Sequence, residues 1–291
     1  MNSRFENKIA AITGATSGIG LETLERFVAE GACVLAIDRE AEIGLAIEQR
    51  FHGNVRFVAC DVTNVNDLKV AIDSAATYFG GLDILFNNAG SGGTTQTAQS
   101  FDVQGWDDAQ ALLLRAVVAG TAFAIPHMKR RGGGAVINTA SIAGLQAGFG
   151  PLAYSVAKAA VIHYTKVAAA QLSADHIRIN AIAPGFIATR IFGTGLGLDR
   201  DQAQDLANQA LANKSIPNPI GRAGSPRDIA EMTLFLASDA ASFITGTHFT
   251  VDGGTTIGPR HSWDADALPP VAEALGMTRE SMNTMQAKAK S

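Results

Sequence analysis

The chain has little of what several protein classes require. Its 291 residues contain two cysteines, Cys33 and Cys60, too few for a disulfide framework. Both fall in apolar segments and read as small core residues. No set of His, Cys and Asp has metal-ligand spacing, so no metal site is expected. His163, His176 and His248 read as core or surface positions. The net charge is −4 and no basic stripe is present, which argues against nucleic acid as a partner. No apolar run reaches the roughly 18 residues of a membrane-spanning helix. The amino terminus, MNSRFENK, lacks the apolar stretch of a signal peptide. The expectation is a cytoplasmic protein with no membrane partner. Charged residues make up 17% and apolar residues 47%, the balance of a folded chain with a sheet buried on both faces.

What the chain does have is a regular alternation. Ile9 to Ile12 is an apolar run. It leads through Thr13-Gly14-Ala15-Thr16-Ser17-Gly18-Ile19-Gly20 into a helical pattern, Leu21 to Glu30. Ala32 to Asp38 and Val55 to Asp61 read as strands, each ending in an acid, with a helix from Arg39 to Phe51 between them. Asn64 to Phe79 is amphipathic and is stopped by Gly80-Gly81. A fourth strand, Leu82 to Phe86, runs into Asn87-Asn88-Ala89-Gly90, and a polar loop follows from Ser91 to Ser100. Trp106 to Arg131 reads as one long helix with Pro126 near its end. Ala135 to Ser141 is a fifth strand, Tyr154 to Ser173 an alanine-rich helix, and His176 to Ala183 a sixth strand. Pro184 to Ser215 is irregular, with a helical piece near Asp199 to Ala212. A helix capped by Ser225 precedes the last strand, Thr247 to Val251. This order predicts an α/β fold: a doubly wound parallel sheet of about seven strands with helices on both faces. Residues 1–258 form the expected domain. The tail, 259–291, belongs to no βα unit.

In such sheets ligands bind beyond the carboxyl ends of the strands, and the chemically unusual residues fall there. The loop Gly14 to Gly20, which includes Ser17 and Ile19, follows the first strand and opens a helix. Its glycines suit a tight turn, close backbone approach to a diphosphate, and close helix–strand packing. Its spacing is G-x-x-x-G-x-G. Asp38, at the tip of the second strand, can accept both hydroxyls of an adenosine ribose and would repel a 2′-phosphate. NAD is therefore expected, while the adjacent Arg39 leaves NADP open. Tyr154 and Lys158 share a helix face one turn apart. A nearby ammonium can lower a phenol's pKa and let it exchange a proton with an alcohol oxygen. Ser141, at the end of the fifth strand, can hydrogen-bond the same oxygen.

Together TGATSGIG, Asp61-Val62, NNAG, Ser141, YSVAK, PGFIAT (Pro184 to Thr189), PIGRAGSPRDIA (Pro219 to Ala230) and VDGG (Val251 to Gly254) resemble the short-chain dehydrogenase/reductase family over roughly Lys8 to Gly254. The resemblance implies a single-domain Rossmann fold, a nicotinamide cofactor, and hydride transfer at an alcohol or carbonyl carbon. It implies Tyr154 as general acid–base and Ser141 as the residue positioning the substrate oxygen. Lys158 would lower the tyrosine's pKa and bind the nicotinamide ribose. Asp61 would hold the adenine amino group, and Val62 would pack on the ring. Asn87, Asn88, Ala89 and Gly90 would form the floor beneath the cofactor. Pro184, Gly185, Ile187 and Thr189 would flank the nicotinamide. A homotetramer or homodimer is also implied. One position departs from the pattern: counting from Trp106 and from Pro126 places Leu113 where the family usually has an asparagine that anchors a proton-relay water. A leucine cannot hydrogen-bond that water. A backbone carbonyl of a kinked fourth helix is the alternative anchor.

The expected substrate pocket is walled by Ser91 to Thr94, with Ser91 and Gly92 foremost, by Ala143 and Phe149 from the stretch Ile142 to Phe149, by Phe186, and by Phe192. These residues are mostly small or apolar, and Arg190 is the one nearby cation. A small neutral alcohol or ketone fits best, cyclic, aromatic or steroid-like. Gly193, Gly195 and Gly197 suggest that a segment of about 186–215 acts as a lid. Two other readings stay open, an NADPH-dependent carbonyl reductase and a catalytically silent dinucleotide-binding regulator. The tail is expected to pack on a neighbouring subunit.

Overall fold

Alternation along each strand divides the apolar runs between two cores. Ala10, Ile12, Val34, Ala36, Phe86 and Ile137 face one side of the sheet. Ala11, Leu35, Ile37, Leu85 and Val136 face the other. The structure, a computed structural model, describes residues 3–93, 95–213, 216 and 218–289. Its seven strands are β1 (Ile9–Thr13), β2 (Cys33–Asp38), β3 (Val55–Ala59), β4 (Ile84–Asn87), β5 (Gly134–Thr139), β6 (Ile177–Pro184) and β7 (His248–Val251). They form one parallel sheet in the order β3-β2-β1-β4-β5-β6-β7. The chain departs in opposite directions from the β1–β4 pair, which opens a crevice above that pair's carboxyl ends.

Helices α1 (Gly18–Ala29), α2 (Ala41–Arg50) and α9 (Pro226–Ala237) belong with the first core, in which Leu24, Phe27, Ile47, Ile229 and Leu234 are buried. Helices α3 (Val65–Phe79), α5 (Ala116–Arg130) and α6 (Leu152–Leu172) cover the other face. Their ends follow local chemistry. Asn64 caps α3 by accepting from the N–H groups of Asn66 and Asp67, and Gly80 closes it at φ +88°.

The expected single fourth helix is α4 (Val103–Gln110) running into α5 through one π-turn, Ala111–Arg115. The helical irregularity is this π-turn, and the helix continues through Pro126. By length and composition Val103–Arg130 could cross a membrane. Here it is a core helix, burying Val117, Ala124 and Met128. The predicted lid is also more ordered than the glycines suggested. It holds α7 (Ile191–Gly195) and α8 (Arg200–Ala212), and Asp199 forms a capping box with Gln202. Gly193 is a packing residue: a Cβ there would lie 2.6 Å from the Cα of Ala203. Beyond the sheet come α10 (Pro270–Ala274) and α11 (Arg279–Ala289). Thr94, Lys214 and Ser215, which fall in the expected pocket wall and lid, lie outside the described residues.

Candidate active site

The glycine loop bridges β1 and α1. Gly14 and Gly18 have φ of +69° and +51°, a region costly for residues with a Cβ. A Cβ on Gly20 would fall 2.0 Å from the carbonyl oxygen of Gly14, so α1 can start only with bare backbone there. Asn88 ties this turn to β4. Its amide donates to the carbonyls of Thr13 (3.1 Å) and Gly14 (3.3 Å), while the hydroxyl of Thr13 accepts from the N–H groups of Asn88 and Ala89. Ser17 stands at the N-cap position of α1 and makes no capping bond. Ile19 packs against the first core. A helix start with unscreened N–H groups and no side chain in the way fits a dinucleotide diphosphate.

Asp38 ends β2 and turns back over this loop. Its Oδ2 accepts from the N–H (3.0 Å) and the hydroxyl (2.8 Å) of Thr16, and its Oδ1 accepts from the N–H of Arg39 at 2.7 Å. Arg39 itself points outward, its guanidinium 3.8 Å from Glu40 and near enough to Asp61 to help lower that carboxylate's pKa. Asp61 lies two residues beyond the last pair of β3. The N–H and hydroxyl of Thr63 bond its carboxylate and hold its pKa below the ordinary carboxylate value. Val62 beside it is buried. With Thr13, Asn87, Ala89, Leu112, Ala116 and Val117 it lines a cavity of about 10 Å³, the size of one water.

Ser141, Tyr154 and Lys158 meet at the carboxyl ends of β5 and β6. Ser141 caps a short 3-10 turn, its Oγ accepting from the N–H of Ala143 at 3.1 Å, and its hydroxyl is near enough to the phenol of Tyr154 to lower that group's pKa. Lys158 is buried. Its Nζ donates to the carbonyl of Thr139 at 2.7 Å and lies 5.6 Å from the centroid of the Tyr154 ring. Desolvation lowers the ammonium's pKa to about 8. The lowering of the Tyr154 phenol expected from Lys158 does not appear: burial raises the phenol, and the opposing influence comes from Ser141. The wall around Tyr154 is tight. A Cβ at Gly150 would lie 2.9 Å from the tyrosine ring, and one at Gly93 would lie 3.2 Å from the tyrosine Cβ. Leu113 is fully buried among Ala109, Ala153 and Ala157, with Tyr154 at the rim of the cluster, and reaches towards Gly90.

The strand β6 delivers the remaining predicted residues. Pro184 ends it. Gly185 is pressed against Asp252 and donates its N–H to the carbonyl of Val251. Ile187 pairs with Gly224 in an isolated bridge. Thr189 then crosses to the glycine loop, its Cγ2 standing 3.1 Å from a Cβ built on Gly18. Phe186 and Phe192 meet edge to face with centroids 4.6 Å apart. Gly92 lies against Ile191 and Gly195. Ser91 is exposed beside it, Ala143 is buried, and Phe149 is 42% exposed on the opposite wall.

One expected floor residue is redirected. The amide of Asn87 faces away from the loop and donates to Asn138 Oδ1 (2.9 Å), Thr121 Oγ1 (3.1 Å) and the carbonyl of Val117 (3.4 Å). Asn138 donates in turn to Thr165. This buried network joins β4, β5, α5 and α6. Its members are not legible in the sequence because lone Thr and Asn in apolar runs carry no spacing signal. Thr16 and the carbonyl of Thr139 are hidden for the same reason.

A parallel doubly wound sheet with a glycine loop after β1 and a Ser/Tyr/Lys set beyond β5 defines an oxidoreductase architecture, and known proteins of similar sequence and structure agree. A family model described as enoyl-(acyl carrier protein) reductase matches residues 14–256. The chain belongs to the short-chain dehydrogenase/reductase family, whose members use a nicotinamide dinucleotide. It is 34% identical over 259 residues to cyclohexanol dehydrogenase of Acinetobacter sp. (strain SE19), covering 88% of this chain and 98% of that one. It is 36% identical to 3beta-hydroxysteroid dehydrogenase 2 of Eggerthella lenta, covering 87% and 96%. The solved structure of levodione reductase superposes with a TM-score of 0.78 at 31% identity, covering 88% of this chain and all of that one.

Proposed function

We propose that this chain is an NAD-dependent dehydrogenase acting on a neutral, apolar, cyclic secondary alcohol or the corresponding ketone. The observation that carries this reading is the convergence of Ser141, Tyr154 and Lys158 at one sheet edge, facing the glycine loop across the crevice. The cofactor, when bound, supplies the hydride acceptor or donor. The protein's own work is to hold the substrate oxygen and move its proton. Ser141 donates a hydrogen bond to that oxygen. The ionised phenol of Tyr154 takes the hydroxyl proton in oxidation and returns it in reduction. Lys158, fixed by Thr139, places a positive charge behind the phenol and favours its ionised form. Ser17, Gly18, Ile19 and Gly20 would hold the diphosphate, Asp38 the adenosine ribose, Asp61 and Val62 the adenine. Asn88, Ala89 and Gly90 would support the floor, and Pro184, Gly185, Ile187 and Thr189 the carboxamide side.

The edge-to-face pair Phe186–Phe192 and the exposed ring of Phe149 support an apolar ring as substrate. So do relatives named for cyclohexanol and for a steroid alcohol. We take residues 1–258 as the catalytic body, working in the cytoplasm as a homotetramer or homodimer. Absorbance at 340 nm with NAD⁺ or NADP⁺ and a panel of cyclic secondary alcohols tests the assignment; binding of cofactor without turnover of any alcohol would overturn it. A second reading, an NADPH-dependent carbonyl reductase, is favoured by Arg39, whose exposed guanidinium lies by Glu40 and Asp61 and could pair with a 2′-phosphate. The same assay separates the two.

A further inference from the structure

The segment after β6 carries a cation that the proposed chemistry does not use. Arg190 stands directly before α7 and is half-buried. Its guanidinium makes no hydrogen bond and no ion pair among the described residues. It lies only in the longer-range fields of Arg200, Glu40 and Asp38, and burial lowers its pKa. Withdrawing a charge from water without a partner is unfavourable, so such groups are normally paired.

The acids nearby are already engaged. Asp38 Oδ2 accepts from the N–H and hydroxyl of Thr16, and its Oδ1 accepts from the N–H of Arg39. The carboxylate of Glu40 has two other guanidinium groups near it, Arg39 at 3.8 Å and Arg200 at 4.0 Å. The position of Arg190 says what else could pair with it. Thr189, the residue before it, stands against the start of α1, its Cγ2 3.1 Å from a Cβ built on Gly18. Asp38 is bonded to Thr16, two residues earlier in the same glycine loop. The backbone of Arg190 therefore sets out beside one part of the loop, and its guanidinium feels the acids held at the other. Between them lies the proposed diphosphate seat.

We infer that Arg190 is a cofactor-binding residue: its guanidinium ion-pairs with the phosphate oxygens of the dinucleotide diphosphate, from the side opposite the N–H groups of α1. This rests on the dinucleotide-binding reading above. A guanidinium suits the task, because its fork of N–H donors matches two phosphate oxygens at once. The pairing also supplies the anion that the protein withholds from Arg190, so the cofactor is held by backbone on one side and by charge on the other.

The test reads binding and does not depend on turnover. NADH, NADPH and ADP-ribose are titrated calorimetrically into the full chain at low and high salt. Wild type, Arg190→Met and Arg190→Lys are compared. Arg190→Met is expected to weaken NADH and ADP-ribose alike by about tenfold or more, and to flatten the salt dependence of both. Arg190→Lys is expected to recover part of the loss, because the charge returns without the fork. The melting temperature of ligand-free Arg190→Met should not fall below that of wild type, since no protein partner is lost. Unchanged binding of NADH and ADP-ribose would overturn the inference. A loss that ignores salt, is not recovered by lysine and comes with a lower melting temperature would mark a structural role and overturn it too. A loss confined to NADPH would assign Arg190 to a 2′-phosphate, and a loss for NADH without one for ADP-ribose would assign it to the nicotinamide end; either overturns the diphosphate contact. Arg190→Gln decides by the same criteria if Arg190→Met does not fold. If wild type binds NADH but oxidises no cyclic alcohol, the dehydrogenase reading falls while the result for Arg190 stands. If wild type binds none of the three ligands, the cofactor assignment and the inference fall together.

Discussion

The ammonium of Lys158 is bonded to the carbonyl oxygen of Thr139 at 2.7 Å, while the ring of Tyr154, four residues before it, lies 5.6 Å away at its centroid. Helical spacing alone brings the two side chains to one face. The end of β5 decides where the charge goes, because the half-buried Thr139 offers its carbonyl as an acceptor. Lys158 thus stands off the ring of a phenol that burial pushes up.

Removal of the phenolic hydroxyl isolates the proton-transfer role. Tyr154→Phe is expected to lower kcat by about 10²–10⁴ while leaving cofactor affinity, measured by fluorescence titration, within about twofold. A loss of cofactor binding equal to the loss of rate would place Tyr154 in binding alone.

Lys158 makes stability depend on pH in a defined direction. Burial lowers its folded-state pKa to about 8, from 10.5 for the free side chain. Below 8 both states hold the proton, and the folded state carries the full desolvation cost. Between 8 and 10.5 the unfolded chain holds a proton that the folded chain has released, so stability rises with pH. Lys158→Met should therefore be more stable than wild type at pH 6–7, by on the order of 2–3 kcal/mol before the lost Thr139 bond is counted. The gap should close as pH rises from 8 to 10.5. Denaturant melts across this range check it; a gap independent of pH would show that the lysine is not desolvated.

Asp38 bonds Thr16 in the glycine loop and stands at the proposed ribose site. Asp38→Ser should raise the KM for NAD⁺ by about tenfold or more, and that for NADP⁺ much less, because the charge that repels a 2′-phosphate is gone. Equal changes for the two cofactors would assign the carboxylate to holding the loop only.

Leu113 lies within the π-turn and in an apolar cluster. Leu113→Asn places an amide among alanines and should cost about 1–3 kcal/mol. Its kcat on cyclic alcohols should stay within about threefold of wild type, if the helix supplies the relay through its backbone. A large gain in kcat would instead identify Leu113 as the limit on proton exit.

Asp228 braces the turn that carries Gly224, the bridge partner of Ile187. It pairs with Arg222 and with Ser225, and its pKa falls to about 2. Gly224, within this clamp, bonds the backbone of Phe186 and Ala188. The stabilisation from the charged carboxylate is present above the ordinary value of 3.8 and is lost as pH falls through about 2. Asp228→Asn should cost about 1–2 kcal/mol at pH 7, allowing for partial exposure, and much less at pH 2.5. Thermal melts at the two pH values show whether the gap shrinks.

Much of this was legible in the chain itself. Continuous apolar runs separated by helical patterns specify a parallel sheet buried on both faces, since such strands have no polar side to leave in water. Gly14, Gly18 and Gly20 announce a turn that only bare backbone can make. Ser141, Tyr154 and Lys158 can be read as a set because their spacing falls on one strand end and one helix face. Tertiary structure alone decided the rest. It turned Asn87 towards Asn138 and Thr121 while Asn88 took the loop, a choice between adjacent identical residues made by strand alternation. It gave Gly193 a packing role against Ala203 and put a π-turn at Ala111–Arg115 while the helix ran on through Pro126. Local pattern sets which groups exist and which face they share. Partners, burial and therefore pKa depend on contacts between residues distant in the chain, which no window of sequence contains.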